Sequence, residues 1–401
     1  MRWSSAISRQ PRAVDAFAEA AAPLEARLEG DPPDLLVAFV SPHHAGESEQ
    51  LVDLAARRFP RALLVGCTAG GVIGDAHEVE DGPALSLTAA VLPGVELSPF
   101  RVEPGAQPLD PSAWRARVGC PPEARPKLLL LADPFTVDIG ALVEGLDGAY
   151  PAAPKFGGLA SGGRGLDQNR LLVAEDVHRN GGVGVVFTGN LEVDTLIAQG
   201  CRAIGAPMLV TRCQHGVLQE LDGRPPLQVI AELYASLEPR DRELMQTSLF
   251  LGLELRSDEV EFQPGELLVR NLIGADEDTG ALAVGAELRP LTVVQFVLRD
   301  AHSAEQELRR MLARHRRAAT GRPAGALLFS CVGRGAGLFG HPDHDTSLFE
   351  EQLGPAPLGG FFCNGEIGPV GGTTFVHGYT SAFAMFREAE DGGPERRAGA
   401  S

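Results

Sequence analysis

The chain has 401 residues, 44% of them hydrophobic, and a formal net charge of −18. That length predicts two domains with ample core, and the acidic balance argues against a nucleic-acid partner, since a polyanion needs a concentrated positive face. No apolar run approaches the ~20 residues of a membrane helix, and Met1-Arg2-Trp3-Ser4-Ser5-Ala6 lacks the apolar stretch of a secretory signal.

The six cysteines are scattered without a Cys-x-x-Cys pair, so neither a zinc ribbon nor a disulfide framework is implied. A reduced cytoplasmic protein without membrane insertion is expected.

Taken in chain order, an opening helix is predicted from Pro11 to Leu28, where Val14, Phe17, Ala21, Leu24 and Leu28 form one apolar stripe. The run Leu35 to Val40 then reads as a buried strand. A helix near Glu47 to Arg58 follows, and a second strand leads into Gly66-Cys67-Thr68-Ala69-Gly70-Gly71. Ala84 to Leu92 reads as a half-buried antiparallel strand with Leu85, Leu87, Ala89 and Val91 on one face, and Val95 to Val102 as its successor. Pro104 to Pro126 reads as a proline-rich connector.

The strand–helix–strand–glycine pattern returns from Leu128-Leu129-Leu130-Leu131 to Gly157-Gly158-Leu159-Ala160-Ser161-Gly162-Gly163. Strands at Leu171 to Ala174, Gly184 to Phe187 and Leu191 to Gln199 follow. From Met208 the pattern changes to a hairpin (Met208 to Leu221), a helix (Leu227 to Leu237) and strands at Leu249 to Leu255, Glu266 to Ile273 and Leu291 to Leu298. Gly274 to Gly280 reads as a solvated surface turn whose acids do not fit a calcium loop. A helix starting near Ser303 carries a basic face through Arg309, Arg310, Arg314, Arg316 and Arg317; a solvated face is the reading, a contact for an acidic partner the alternative.

The third copy opens at Leu327-Leu328-Phe329-Ser330-Cys331 and reaches Gly359-Gly360-Phe361-Phe362-Cys363-Asn364-Gly365. A single strand is expected from Thr373 to Phe386, and the last residues read as a disordered tail. The repeated units imply an α+β fold: mixed β-sheets built from strand–helix–strand–hairpin units, with helices packed on the sheet faces. Glycines after each second strand let backbone N–H groups approach a ligand, so the three turns are expected to converge on a pocket. Tight turns at sheet ends are the alternative. No phosphate-loop pattern is present.

These residues, in this order, resemble the FIST family, a sensory domain with N-terminal and C-terminal halves. The resemblance runs from Trp3 to Phe386. It rests on Leu64 to Gly71, Lys155 to Gly162, Gly182-Val183-Gly184-Val185, Glu220 to Pro225, Leu268-Val269-Arg270, Phe329 to Gly335 and, most sharply, Gly360 to Pro369.

The resemblance implies an N-terminal domain over residues 1–205, internally duplicated, a C-terminal domain over 206–388, and a tail over 389–401. It also implies a bacterial signal-transduction protein that binds a small molecule, an amino acid or a derivative, and acts through a separate signalling partner. No catalysis and no cofactor are implied, and no kinase, cyclase or F-box segment accompanies the match.

Arg334, between Gly333 and Gly335, offers a forked donor for a carboxylate or phosphate; a salt bridge to Glu366 or another surface acid is the alternative. Glu366 and Asn364 flank Gly365 and suit an amino group and a carboxylate. Arg164 follows the second glycine turn, while Cys67 and Thr68 lie in the first. Cys67 and Cys331 sit at strand ends, where an exposed thiol and simple packing are both open readings.

Arg334 is placed to depress the Cys331 pKa, which leaves a second class of function: an enzyme with Cys331 as nucleophile and His344 or His377 as base. A protein–protein adaptor without a small ligand is the third. His341-Pro342-Asp343-His344-Asp345 superficially resembles a metal cluster, but Pro342 breaks the helical spacing, and Asp343 or Asp345 is read as the cap of a helix from Thr346 to Leu353. His377 and Tyr379 are expected on one face of their strand, as ligand contacts or as a core wall.

Overall fold

The computed structural model describes residues 1–105, 110–254, 267–319 and 321–389. Pro108, Glu266 and nearly all of the expected tail lie outside them. The chain forms two compact units. The larger comprises residues 1–197, 309–376 and 381 onward; the smaller comprises 198–308 and 377–380. The larger unit therefore takes residues from both sides of the division expected at 205/206.

The larger unit begins with β1 (Arg2–Ser8), α1 (Ala13–Arg27), β2 (Leu35–Val40), α2 (Ser48–Arg58) and β3 (Leu63–Thr68). A short hairpin, β4 (Gly71–Gly74) and β5 (His77–Val79), precedes β6 (Leu85–Val91) and β7 (Val95–Val102). The second copy holds α3 (Pro111–Val118), β8 (Lys127–Ala132), α4 (Ile139–Ala149), β9 (Lys155–Leu159), the hairpin β10 (Leu171–Val173) and β11 (Asp176–His178), then β12 (Gly182–Gly189) and β13 (Glu192–Ala198).

The smaller unit contains β14 (Cys201–Ala203), β15 (Met208–Gln214), β16 (Val217–Leu221), α5 (Pro226–Ser236), α6 (Pro239–Ser248) and β17 (Leu249–Glu254). It continues through β18 (Leu267–Asp276), β19 (Ala281–Val284) and β20 (Val293–Arg299). After α7 (Ala301–Ala318), the third copy has β21 (Gly325–Cys331), α8 (Gly335–Phe339), α9 (His344–Leu353) and β22 (Leu358–Cys363). The hairpin β23 (Glu366–Val370) and β24 (Thr373–His377) and the return strand β25 (Ser381–Arg387) follow.

Three six-stranded sheets of the larger unit share one plan. Their orders are β1-β6-β2-β3-β10-β11, β7-β12-β8-β9-β23-β24 and β13-β25-β21-β22-β4-β5. In each, the two strands of a strand–helix–strand unit pair in parallel. An antiparallel return strand flanks the first of them, and a hairpin carried by a different copy completes the sheet. The exchange is cyclic: the first copy lends β4-β5 to the third, the second lends β10-β11 to the first, and the third lends β23-β24 to the second.

Alternation along the strands decides which side chains meet. Val37, Phe39, Leu129, Leu131, Leu327 and Phe329 point inward with Cys67, Phe156, Phe361 and Cys363 into one central core. Their neighbours Leu36, Ala38 and Val40 face α1 and α2, and Leu128, Leu130 and Ala132 face α3 and α4. Strands covered on both faces read as continuous apolar runs. For the same reason β6 is buried on both sides, with Ser86, Thr88 and Ala90 as covered as Leu85 and Leu87; the expectation of a half-buried strand there was wrong.

Three glycines fix how closely the parallel pairs approach. A Cβ on Gly66, Gly157 or Gly360 would sit 1.9, 1.8 and 2.0 Å from the carbonyl oxygens of Ala38, Leu130 and Leu328. These positions correspond in the three copies, each facing the middle of its first strand.

The smaller unit is an antiparallel barrel: β20-β15-β16-β19-β18-β17 closes by pairing β17 back to β20, and β14 extends it. Val210, Leu218, Leu251, Leu282, Val294 and Phe296 fill its core.

Other local expectations also change. The proline-rich connector contains α3, which Asp110 caps by accepting from the N–H groups of Ser112 and Ala113 and which buries Trp114. Residues 274–276 belong to β18, and only the four that follow form the turn. The strand expected from Thr373 to Phe386 is two strands, β24 and β25, which belong to different sheets and are separated at residues 378–380, where Tyr379 has φ 64°. Arg309 pairs with Glu351, and Arg316 donates to the Gln352 carbonyl at the C-terminal end of α9, so part of the basic face is spent on the negative pole of a helix.

Candidate functional site

The three glycine turns meet. Gly70 N–H donates to Ser161 Oγ at 2.8 Å, Ser161 N–H to the Thr68 carbonyl at 3.2 Å, and Asn364 N–H to the Leu159 carbonyl at 3.0 Å. Ser161 Oγ donates in turn to the Phe362 carbonyl. Close backbone contact, rather than an open hollow, joins these turns: a Cβ on Gly162 would lie 2.7 Å from Thr68 Cβ.

The chemistry gathers beside this junction, at the end of β21. Arg334, 1% exposed, donates from Nε and Nη2 to both oxygens of Asp345 at 2.9 Å each. Asp345 also accepts from His344 Nδ1 at 2.9 Å, Ser330 Oγ at 3.2 Å and Ser381 Oγ. Burial alone would push the Asp345 carboxyl up, but the Arg334 guanidinium and the hydrogen-bond donors override it and hold the carboxyl well below the usual range. Burial likewise pulls Arg334 down, and Asp345 more than restores it.

An ionised carboxylate only accepts, so His344 carries a proton on Nδ1; in the neutral ring Nε2 is then the acceptor. Its ring stacks on Phe339 at 3.4 Å.

The borrowed hairpin brings two further acids. Glu78 Oε1 accepts the Thr346 N–H at 2.9 Å, and Glu80 Oε1 accepts the Ala336 N–H at 2.7 Å. Glu78 thus does for the first turn of α9 what Asp343 or Asp345 was expected to do. Asp343 instead accepts from Glu78 N–H and lies beside His77. Burial, then the Asp345 charge, pushes the Glu78 carboxyl up to about 8.

Four buried polar atoms in this cluster have no partner among the described residues: Arg334 Nη1, Glu78 Oε2, His344 Nε2 and Thr346 Oγ1. Native proteins leave few such groups, and a cluster marks a place where water or a ligand completes the network.

The sequence-predicted residues divide accordingly. Arg334 is central, but its partner is the buried Asp345 and not a surface acid. Cys331 lies at the same strand end and accepts from Gly333 N–H at 3.4 Å. Glu366 is fully buried and accepts from Cys363 Sγ at 3.6 Å; its charge is felt by Arg334. Thr68 is buried between Asn169 and Arg170.

Cys67 is packed in the central core, where burial raises its thiol pKa, so packing is the reading the structure favours there. Asn364 and Arg164 are exposed. His377 is buried and belongs to the smaller unit. Among the described residues no group of three His, Cys, Asp or Glu could hold a metal ion, and no helix is long and apolar enough to cross a membrane.

Asp345, Glu78 and Glu80 were missed as site residues. Only the period-two spacing of Glu78 and Glu80 was visible, and nothing local says that their hairpin pairs with a strand nearly three hundred residues away.

Family models settle the relationship. The FIST N domain matches residues 34–224 and the FIST C domain matches 226–369. The chain belongs to the FIST family. FIST domains are associated with sensory roles in signal transduction. An uncharacterized protein of Mycobacterium tuberculosis is 37% identical over 387 residues, covering 96% of this chain and 100% of the relative. Another, from Mycobacterium bovis, is 36% identical over 389 residues, covering 96% and 99%. An F-box/LRR-repeat protein of Arabidopsis thaliana is 30% identical over 169 residues, 40% of this chain and 31% of that protein.

Proposed function

We propose that this FIST protein is a cytoplasmic sensor that binds a small carboxylate-bearing molecule, an amino acid or a derivative, without turning it over, and that it passes its bound state to a separate signalling protein. The observation that carries this reading is Arg334 Nη1: a guanidinium N–H, buried and unpartnered, on a side chain whose other face is already neutralised by Asp345. Such a donor suits a carboxylate oxygen. Below about pH 8 Glu78 keeps its proton on Oε2, since Oε1 accepts the Thr346 N–H, and so supplies a second donor for a carboxylate in the same cluster.

The test is a thermal-shift and calorimetry screen of the full chain against amino acids, their N-acyl derivatives and simple carboxylates. A ligand at 100 times its dissociation constant stabilises the fold by ~2.7 kcal/mol. Arg334→Lys keeps the charge beside Asp345 but loses the fork, and it is expected to weaken binding about tenfold or more. Binding undiminished in that variant removes Arg334 from the site.

A second reading is favoured by one observation. Asp345 orients His344 so that Nε2 is an acceptor without a partner, the arrangement of a general base, with Cys331 as the nucleophile. Iodoacetamide alkylation of Cys331 that is no faster than that of a free thiol weighs against it.

A further inference from the structure

Cys331 and Cys363 are register partners. They end the parallel strands β21 and β22, directly across from one another. Phe329 and Phe361, two residues earlier, both point into the central core, so alternation puts both thiols on the same face of the sheet. Neighbouring strands run about 4.8 Å apart, inside the roughly 4.4–6.8 Å Cα separation that a disulfide spans. The two sulfurs feel one another, since the Cys331 thiol contributes to raising that of Cys363. Both are reduced in the structure.

The two thiols are not equivalent. Cys331 stands at the strand end, buried but 7% exposed against 0% for Cys363, and its neighbour Val332 is 47% exposed. Its sulfur accepts the Gly333 N–H and lies within the field of the Arg334 guanidinium, and both features favour a thiolate. Cys363 is fully buried, donates to the Ser330 carbonyl at 3.3 Å and to Glu366, and is pushed up by burial and then by Glu366. One is built to react first and the other to respond.

We propose that Cys331 and Cys363 form a reversible redox pair, in which Cys331 is oxidised by a hydroperoxide and Cys363 resolves it to a disulfide. In the first step the Cys331 thiolate attacks the peroxide: an S–O bond forms, the O–O bond breaks, and the departing alkoxide or hydroxide takes up a proton. The sulfur loses two electrons and becomes a sulfenic acid. In the second step the Cys363 sulfur attacks the sulfenyl sulfur; the S–S bond forms, the S–O bond breaks, and water leaves with the Cys363 proton. One peroxide and two thiols give one alcohol or water, one further water and one disulfide.

The bridge ends the Cys363 donation to Ser330. Ser330 is itself bonded to Asp345 through Oγ, so oxidation reaches the Arg334–Asp345 cluster through a single residue. This site goes beyond ligand sensing and does not depend on it.

The experiment uses the full chain and hydrogen peroxide. Wild-type protein is treated near stoichiometry, its free thiols are blocked with iodoacetamide, and peptides are mapped by mass spectrometry before and after dithiothreitol. The expected result is a Cys331–Cys363 cross-linked peptide that dithiothreitol abolishes. Cys363→Ser is expected to leave Cys331 as a sulfenic acid that dimedone captures, and Cys331→Ser to leave Cys363 reduced. Cys67→Ser is expected to retain the cross-link. Cys331 blocked by iodoacetamide after peroxide as fully as before it overturns the proposal. So does a bridge between any other pair, or sulfinic Cys331 beside a free Cys363 in the wild type. The wild-type mapping stands whether or not a variant folds.

Discussion

Glu78 accepts the backbone N–H of Thr346 at 2.9 Å across a sequence gap of 268 residues. A carboxylate lent by the first copy's hairpin therefore starts a helix of the third copy. Its other oxygen has no partner among the described residues, and burial first, then Asp345, Asp343 and Glu80, raise its pKa. Arg334 is paired with Asp345 and does not relieve it.

This predicts an uncommon pH dependence. With Glu78 at about 8 in the folded protein and near 4.3 when unfolded, the native state holds a proton that the unfolded chain has released. Its contribution is fully present below the unfolded value and is lost as pH rises through about 8, a loss on the order of a few kcal/mol. Urea midpoints are expected to fall between pH 5 and 8, with Glu78→Gln flattening that slope. An equal slope in the variant shows that another group is responsible.

The Asp345 carboxyl behaves oppositely. Its pKa is depressed in the folded state, so its stabilisation is present above the unfolded carboxylate value and lost as pH falls toward acid. Asp345→Asn is expected to cost about 3–5 kcal/mol, because it strands a buried guanidinium. Adding Arg334→Met is expected to recover part of that loss. Chemical denaturation of the single and double variants measures both.

The parallel strand pairs predict a third outcome. Gly360→Ala puts a Cβ 2.0 Å from the Leu328 carbonyl oxygen, and only a backbone shift relieves it, at a loss above about 3 kcal/mol. Gly337→Ala, where nothing lies within 4 Å, is expected to change stability by no more than about 1 kcal/mol, in the favourable direction. Similar midpoints for the two variants would show that the strands are free to separate.

The buried strands β2, β8 and β21 were legible because continuous apolar runs of four to six residues bounded by glycine and proline have few other destinations. Glycine around each second strand was legible as excluding side chains. What was not legible is that Gly66, Gly157 and Gly360 stand inside β3, β9 and β22, where the atom in the way is the carbonyl oxygen of the partner strand, not a ligand. The N-terminal strand β1 was missed because Ser4 and Ser5 interrupt it; its backbone pairs with β6, and the Ser5 hydroxyl meets that of Thr88.

Arg334 was legible as a chemically active residue by its type and its glycine neighbours. Its partner was not, since Asp345 reads locally as a helix cap and becomes an ion-pair partner only when α9 is laid across the end of β21.

By itself the sequence determined the repeated units, their apolar faces and the family, because these depend on residue types at fixed local spacings. Tertiary structure alone decided that each copy lends its hairpin to another, and so that Glu78 from one copy meets Asp345 and Arg334 from a second. Hydrogen bonding between strand edges has no sequence range: an edge pairs with whatever edge the packing of three apolar faces brings beside it.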